Sequence, residues 1–263
     1  MTGVPVTHIG GPTTLIEIGG LRLLTDPTFD PPGRRYAFGW GTSSRKTAGP
    51  ALPAAQLPPV HAVLLTHDHH GDNLDDAGRA MLPGAETVLT TPSGARRLGG
   101  NARGLAPWDT WQLSAPDGTA VEVTATPARH GPPLSRPIVG EVTGFALGWP
   151  GRRHGVLWIS GDTVVFEGVR EVGRRLTVGT ALLHLGGVGF PVTGPLRYTM
   201  TAAGAVEVCL LLRPRTVVPV HYEGWSHFRE PRAAAERTLA GAPAEVRDAF
   251  RWLPPGTATA ISV

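Results

Sequence analysis

Residues 66–73 read Thr66-His67-Asp68-His69-His70-Gly71-Asp72-Asn73 and follow directly on the apolar run Ala62-Val63-Leu64-Leu65. Three histidines and two aspartates at the end of a strand-like segment point first to metal binding. His67 and His69 are two residues apart. On a helix they would be splayed by about 200°, but at an extended strand end both point to one side and can grip one ion. Neutral imidazole is the commonest metal ligand, and a carboxylate a few residues later supplies an oxygen for a second ion or for the open side of the first. The competing reading is a polar surface loop in which Asp72 or Asn73 caps a helix beginning near Leu74.

Three further segments end in the same way. Residues 119–126 alternate like a half-buried strand and are followed, after Pro127-Ala128-Arg129, by His130. The apolar run 155–160 leads to Gly161, whose backbone freedom allows a tight turn that presents Asp162. A third run, Thr216-Val217-Val218-Pro219-Val220, delivers His221. A single His or Asp at a strand end is usually a turn residue. Four such ends along one chain are the pattern expected where ligands gather at one edge of buried sheets.

With these residues in place, the chain resembles the metallo-β-lactamase-fold hydrolases over nearly its whole length. That family's ordered signature is a His-x-His-x-Asp-His motif, an isolated His, a Gly-Asp pair and a final His. Here these resemble His67/His69/Asp72, His130, Gly161-Asp162 and His221. The opening from His8-Ile9-Gly10-Gly11 to Leu23-Leu24-Thr25-Asp26-Pro27 is similar to the branch of ascorbate-6-phosphate lactonase-like and N-acylphosphatidylethanolamine phospholipase-D-like proteins. The resemblance implies an α/β (α+β) four-layer αββα sandwich with the site along one sheet edge. It also implies a first ion held by His67, His69 and His130, and a second held by Asp72, His221 and a shared Asp162.

The motif departs from the family at Asp72-Asn73. Aligned through an insertion, Asp72 keeps its role and Asn73 stands for a second-site histidine. Aligned without a gap, Gly71 falls at the aspartate and Asp72 at the histidine. Both registers keep Asp72. An asparagine carbonyl is a weaker donor to zinc than imidazole, so the second position should bind less tightly or favour a harder ion such as manganese. His70, Asn73 and Asp26 are further candidates for coordination or for orienting the ligands, since metal-binding histidines need an acceptor behind them. Asp26 resembles the family's buried ligand-orienting aspartate, and a turn-forming Asp before Pro27 is the plainer alternative.

A chain of 263 residues with 41% apolar residues is long enough for one large core, and residues 1–263 are read as a single domain. The absence of an eighteen-residue apolar run or a secretory pattern leads to the expectation of a cytosolic protein without a membrane span. The one cysteine, Cys209, excludes an internal disulfide and reads as a buried helix residue. The net charge of +3 comes almost wholly from arginine, Lys46 being the single lysine. The arginine pairs are scattered, which argues against nucleic-acid binding and for solvated surface. Oligomeric state is not readable.

Residues 28–59 are rich in Gly and Pro with little periodicity, a loop of the length that is usually functional. Tyr36 and Trp40, with Phe38 between them, are expected to form an apolar wall over the site. Arg34, Arg35, Arg45 and Lys46 are expected to form an anion-binding edge, as is Arg136 in Pro132–Pro137. His184 ends an apolar strand before Gly186-Gly187 and is a candidate for substrate contact. Tyr222 and His227 follow the last ligand as candidate donors.

The function expected is metal-dependent hydrolysis. One or two divalent ions, zinc or manganese with iron as a further option, make a metal-bound hydroxide available near neutrality. Asp162 would bridge, Asp72 would orient the water, and His184 or Tyr222 would help the displaced oxygen. The bond would be a lactone, ester or phosphodiester in a small-molecule substrate, with an anionic one among the options. The alternatives are an iron oxidoreductase using the same ligands and a metal-binding scaffold without turnover. Metal content separates them.

Overall fold

The computed structural model describes residues 3–39 and 41–263. Trp40, one of the candidate substrate-loop residues, lies outside the described residues. In chain order the strands are β1 (Val4–Gly10), β2 (Thr13–Ile18), β3 (Leu21–Thr25), β4 (Arg35–Gly39), β5 (Thr42–Arg45), β6 (Ala62–Leu64), β7 (Thr87–Thr90) and β8 (Ala102–Gly104). They continue with β9 (Thr110–Ser114), β10 (Ala120–Pro127), β11 (Thr143–Gly148), β12 (Val156–Ile159), β13 (Val178–His184), β14 (Thr216–Val220) and β15 (Thr259–Ile261). Among them lie helices α1 (Asp76–Met81), α2 (Pro92–Leu98), α3 (Arg136–Val139), α4 (Glu167–Arg175), α5 (Ala202–Leu212), α6 (Arg232–Ala240) and α7 (Ala244–Arg247).

Among the described residues the strands form a seven-stranded sheet in the order β15-β1-β2-β3-β6-β7-β8, a six-stranded sheet β14-β13-β12-β11-β10-β9 and the hairpin β4-β5. Period-two alternation stacks the two large sheets. Leu157 and Ile159 of β12 enter the core between the sheets, with Val6, Ile16, Leu23 and Leu64 from the first. Trp158 between them faces the other way, into a second core that also takes Val169 and Val172 of α4 and Ala205 and Val208 of α5. Val63, Leu65 and Val88 pack outward with Leu74, Leu82 and Leu98, below α1 and α2. The result is the helix–sheet–sheet–helix layering that the resemblance implies. These three clusters take up most of the buried apolar strand residues.

The chain leaves the first sheet between Gly104 and Thr110, and only β15 returns to it. Residues 131–140 form a loop and α3 within the second half. Strand direction then positions the chemistry. β3 runs parallel to β6. β12, β13 and β14 run parallel to one another, and β10 is related to β12 through two antiparallel pairings, so it points the same way. The carboxyl ends of these strands, where open α/β sheets place their ligands, carry Asp26, His67, His130, Asp162, His184 and His221. The backbones of the two sheets meet there, with the Thr143 N–H donating to the Thr66 carbonyl at 3.0 Å. Among the described residues no helix is long and apolar enough to cross a membrane.

Candidate metal centre

Strand β6 ends at Leu64, so residues 66–73 turn instead of extending. The N–H groups of Asn73 and Leu74 both donate to the His70 carbonyl, at 3.1 and 2.9 Å. In a turning chain residues three apart share a face. His67 Nε2 accordingly lies 3.2 Å from His70 Nδ1, and His130 Nε2 lies 3.2 Å from the same atom. This corrects the ligand set expected from extended geometry. His69 is exposed, with Nδ1 3.6 Å from Asp68, whose carboxylate is paired with Arg97, and its ring packs on Gly140. The residue extra to the family motif therefore lies between His67 and His70, and His70-Gly71-Asp72 has the His-x-Asp spacing.

Each outer imidazole of this triad is oriented from behind. His130 Nδ1 donates to the Tyr198 carbonyl at 2.7 Å, which leaves Nε2 with its lone pair facing inward. His67 Nδ1 lies 3.1 Å from Thr66 Oγ1, which in turn reaches both oxygens of Asp26 at 3.0 Å. Asp26 also accepts the Thr66 N–H at 2.7 Å and thereby clamps the strand end that carries His67. Burial and the neighbouring imidazoles keep the triad neutral. The ring of His67 is held well below the usual histidine range, His70 at about 3 and His130 at about 4, burial being the largest cause each time. Three lone pairs facing one point repel unless a cation lies among them. A tetrahedral ion with bonds of about 2.0–2.1 Å sets its ligand nitrogens about 3.3 Å apart, and the spacing here fits.

Asp72, Asp162 and His221 form a second group, with ligand atoms within 4.8 Å of one another. His221 Nε2 lies 3.3 Å from Asp72 Oδ2, and His221 Nδ1 lies 3.6 Å from Asp162 Oδ1. Asp162 Oδ2 is also 3.9 Å from His130 Nε2, so this carboxylate faces both groups. Gly161 makes that possible: it adopts φ +61°, and a Cβ there would stand 2.4 Å from the Thr143 carbonyl oxygen. His221 is itself in the left-handed region at φ +58°, a conformation that costs about 1–3 kcal/mol and clusters at functional sites.

Hydrogen bonding leaves this second group unfinished. Asp72 Oδ1, both oxygens of Asp162 and both ring nitrogens of His221 are buried without hydrogen-bond partners. Burial pushes the Asp162 carboxyl up to about 6. It opposes ionisation of Asp72 too, yet the approach of His221 and His227 holds that carboxyl well below its usual range. For His221, burial is outweighed by Asp162 and Asp72, which raise it to about 9. A buried carboxylate without partners is costly, and a divalent cation satisfies all of these atoms together.

The remaining candidates divide. Asn73 stands beside the first group's support: its Nδ2 is 3.4 Å from Thr66 Oγ1, and its Oδ1, like the atoms of the second group, is buried without a partner. His227 lies beside Asp72 instead, Nε2 to Oδ2 at 2.9 Å, with Nδ1 against Ser44 Oγ of β5. His184 does not face substrate. It is fully buried beneath the site, 3.2 Å from Asp26 Oδ2 and 3.4 Å from Ser160 Oγ. Tyr222 follows His221, faces the opposite side, and packs edge-on to Trp252 in the helix-covered core. Neither is among the lining residues of the cavity beside the ligands.

The long loop does cover the site, as hairpin β4-β5. Its alternation Arg35-Tyr36-Ala37-Phe38 turns Tyr36 and Phe38 inward, into a cluster with Val188, Phe190 and Trp225. A cavity of about 200 Å³ opens between this cluster and the metal ligands, and Phe38, Val188, Phe190, His70, Asp72 and His130 are among its lining residues. The expected anion-binding edge is absent among the described residues of this lining. Lys46 is 3% exposed and binds Asp75 at 2.7 Å, Arg34 pairs with Asp76 and Asp30, Arg45 donates to the Gly33 carbonyl, and Arg35 to Ser43. Arg136 pairs with Glu141 at 2.6 Å. Of these cations only Lys46 is buried, and it needs its partner because a buried ammonium without one would lose hydration without recompense; the arginines are paired on the exposed surface. Sequence reasoning missed Thr66, Val188, Phe190 and Tyr198. The Gly-rich run 186–189 after a strand was the available signal.

The chain matches the family model for the beta-lactamase superfamily domain over residues 21–222. It is 29% identical over 226 residues to a UPF0173 metal-dependent hydrolase of Pyrobaculum arsenaticum, covering 82% of this chain and 83% of that protein. Among solved structures, the isothiocyanate hydrolase from Delia radicum gut bacteria superposes with a TM-score of 0.79 at 22% identity, covering 98% and 99% of the two chains. A possible metal-dependent hydrolase from Veillonella parvula superposes with a TM-score of 0.80 at 18% identity, covering 98% and 100%.

Proposed function

Because this chain belongs to the beta-lactamase superfamily domain family, we propose that it is a metal-dependent hydrolase. His67, His70 and His130 hold one divalent ion, Asp72 and His221 hold another, and Asp162 lies between them. The observation that carries this reading is the set of buried donor atoms without partners, facing one another across the carboxyl ends of both sheets.

Such ions, when bound, make a hydroxide nucleophile available near neutral pH and polarise the oxygen under attack. The chain's own residues supply the rest. Neutral imidazoles of His67, His70 and His130 keep their lone pairs available across the working pH range, and Tyr198 and the Thr66–Asp26 pair fix which nitrogen of His130 and His67 is free. Asp162 and Asp72 would provide negative charge that offsets the ions, and their oxygens without partners would accept a hydrogen bond from the attacking water. The cluster of Phe38, Val188 and Phe190 excludes bulk solvent from one side of the reacting bond. Zinc suits the all-imidazole group, and zinc or manganese the oxygen-richer one. The bond opened is a lactone, a carboxylic ester or a phosphodiester, in keeping with the resemblance of the β1–β3 opening to lactonase-like and phospholipase-D-like proteins.

The test combines metal analysis with turnover. Protein purified without chelator should carry zinc or manganese and hydrolyse members of a lactone, ester and phosphodiester panel. Chelation should stop this and the metal restore it, and His130→Ala should lose both metal and turnover. Iron with redox activity would favour an oxidoreductase, absence of metal a scaffold, and unchanged turnover in His130→Ala would remove this site from the reaction.

A further inference from the structure

We infer that the substrate of this centre is a small molecule whose arm beside the reacting bond is uncharged and apolar. That arm, about one ring or one short branched chain in size, lies in the cavity walled by Phe38, Val188 and Phe190. This rests on the hydrolase reading above and narrows it.

The cavity's dimensions set the size. It holds about 200 Å³, and an apolar cavity of about 150 Å³ is enough to take up benzene. Its position sets which part of the substrate it takes. The Phe38 ring is 5.0 Å from that of His70, and Tyr198 is 6.0 Å from His130, so the wall begins where the ligands end. Phe190 stacks on His227 at 5.5 Å, and Phe38 is 5.9 Å from Phe190, so the rings form a continuous surface. A bond held at the ions therefore has its nearest substituent against aromatic and aliphatic carbon.

Its chemistry sets the charge. No lysine or arginine is among its described lining residues, and the hydroxyls of Thr42 and Thr193, both on the lining, donate to the Gly39 and Phe190 carbonyls. The basic side chains nearest in sequence are committed elsewhere, Arg229 to the Gly189 carbonyl and Arg197 to those of Pro195 and Leu196. A carboxylate or phosphate on the arm would meet no cationic side chain there and, among the hydroxyls of the described lining residues, only that of Tyr198 to donate to it, whereas a methyl or phenyl group would be desolvated favourably. Val192, 70% exposed at the rim, continues the apolar surface outward.

Matched pairs test this with the reacting bond held constant. p-Tolyl acetate and 4-carboxyphenyl acetate, and a γ-phenyl and a γ-carboxy lactone, are compared as substrates of the metal-loaded protein. Binding of p-cresol and 4-hydroxybenzoate is followed by ligand-observed NMR, independently of turnover. The neutral member should be favoured by roughly 100-fold in kcat/KM, p-cresol should bind and 4-hydroxybenzoate should not. Phe190→Ala should weaken p-cresol about tenfold. Val192→Arg, on an exposed position that folding tolerates, should raise binding of 4-hydroxybenzoate. Equal or reversed preference within the pairs, or p-cresol binding indifferent to Phe190→Ala, overturns the inference even if esters are hydrolysed. Phe190-dependent p-cresol binding without turnover of any substrate upholds the cavity assignment and sinks the hydrolase reading instead.

Discussion

The two ligand groups lie side by side, and the chain has finished them to different degrees. In the triad of His67, His70 and His130, all three nitrogens are neutral and two rings are locked by hydrogen bonds on their far side. In the group of Asp72, Asp162 and His221, five polar atoms are without partners, and one residue sits in left-handed backbone. Neutral rings can be packed and oriented without a cation, because burying them uncharged is tolerable. Carboxylates cannot, so the second group depends on its ion for charge balance. The triad is neutral and oriented in advance, whereas His221 must first lose a proton at pH 7, so the triad should bind first and the second group should be the one that responds to its surroundings.

Substitutions of single ligands break this comparison most directly. His70→Ala should remove the first ion and all turnover, while His69→Ala should change neither, as read by metal analysis and rates on one substrate. Equal losses in both variants would restore the extended-strand ligand set. His221→Ala should cost only the second ion, leaving the triad loaded. If both ions leave together, the groups are a single cooperative site.

Smaller effects come from the supporting residues. Thr66→Val preserves shape but cuts the link between Asp26 and His67, and should weaken the first ion by about 10–100-fold. His227→Ala should act on the second ion with similar size, because its contact to Asp72 leaves Oδ1 of that carboxylate as the outward atom. Competition with a chelator of known affinity separates the two sites.

The smallest effect is in protons. The triad is already neutral well below pH 7, so its imidazoles should release essentially no protons on loading between pH 6 and 8, and any release there comes from bound water and from Asp162. His221, raised to about 9 by Asp162 and Asp72, is protonated in the metal-free protein at pH 7 and must lose that proton to coordinate. Calorimetry in buffers of different ionisation enthalpy should show close to one proton for the second ion. That release should vanish as pH rises past about 9.

The same contrast marks how far the chain could be read in advance. Strand 119–126 is legible because period-two burial imprints alternation on the residues themselves, and 216–220 because burial on both faces leaves a continuous apolar run; their polar terminators announce the ligand edge. The hairpin β4-β5 hid behind Gly and Pro, although Arg35-Tyr36-Ala37-Phe38 carries the same alternation over four residues. The choice of His70 over His69 was not legible, since it depends on β6 stopping at Leu64, two residues short of the ligand motif. The side Tyr222 takes was not legible either, because β14 stops at Val220 and His221 is left-handed, so strand alternation does not carry past it.

Residue order alone determined the sheet-and-helix alternation, the family, and the strand ends at which imidazoles and carboxylates would collect, because hydrophobic periodicity and ligand chemistry are local properties. Which histidine completes the triad, where the arginines and Lys46 discharge, and that an apolar cavity adjoins the ions were decided only on folding. Those outcomes depend on partners far apart along the chain, such as Asp75 for Lys46, Tyr198 for His130 and Phe190 for Phe38, and no local pattern records them.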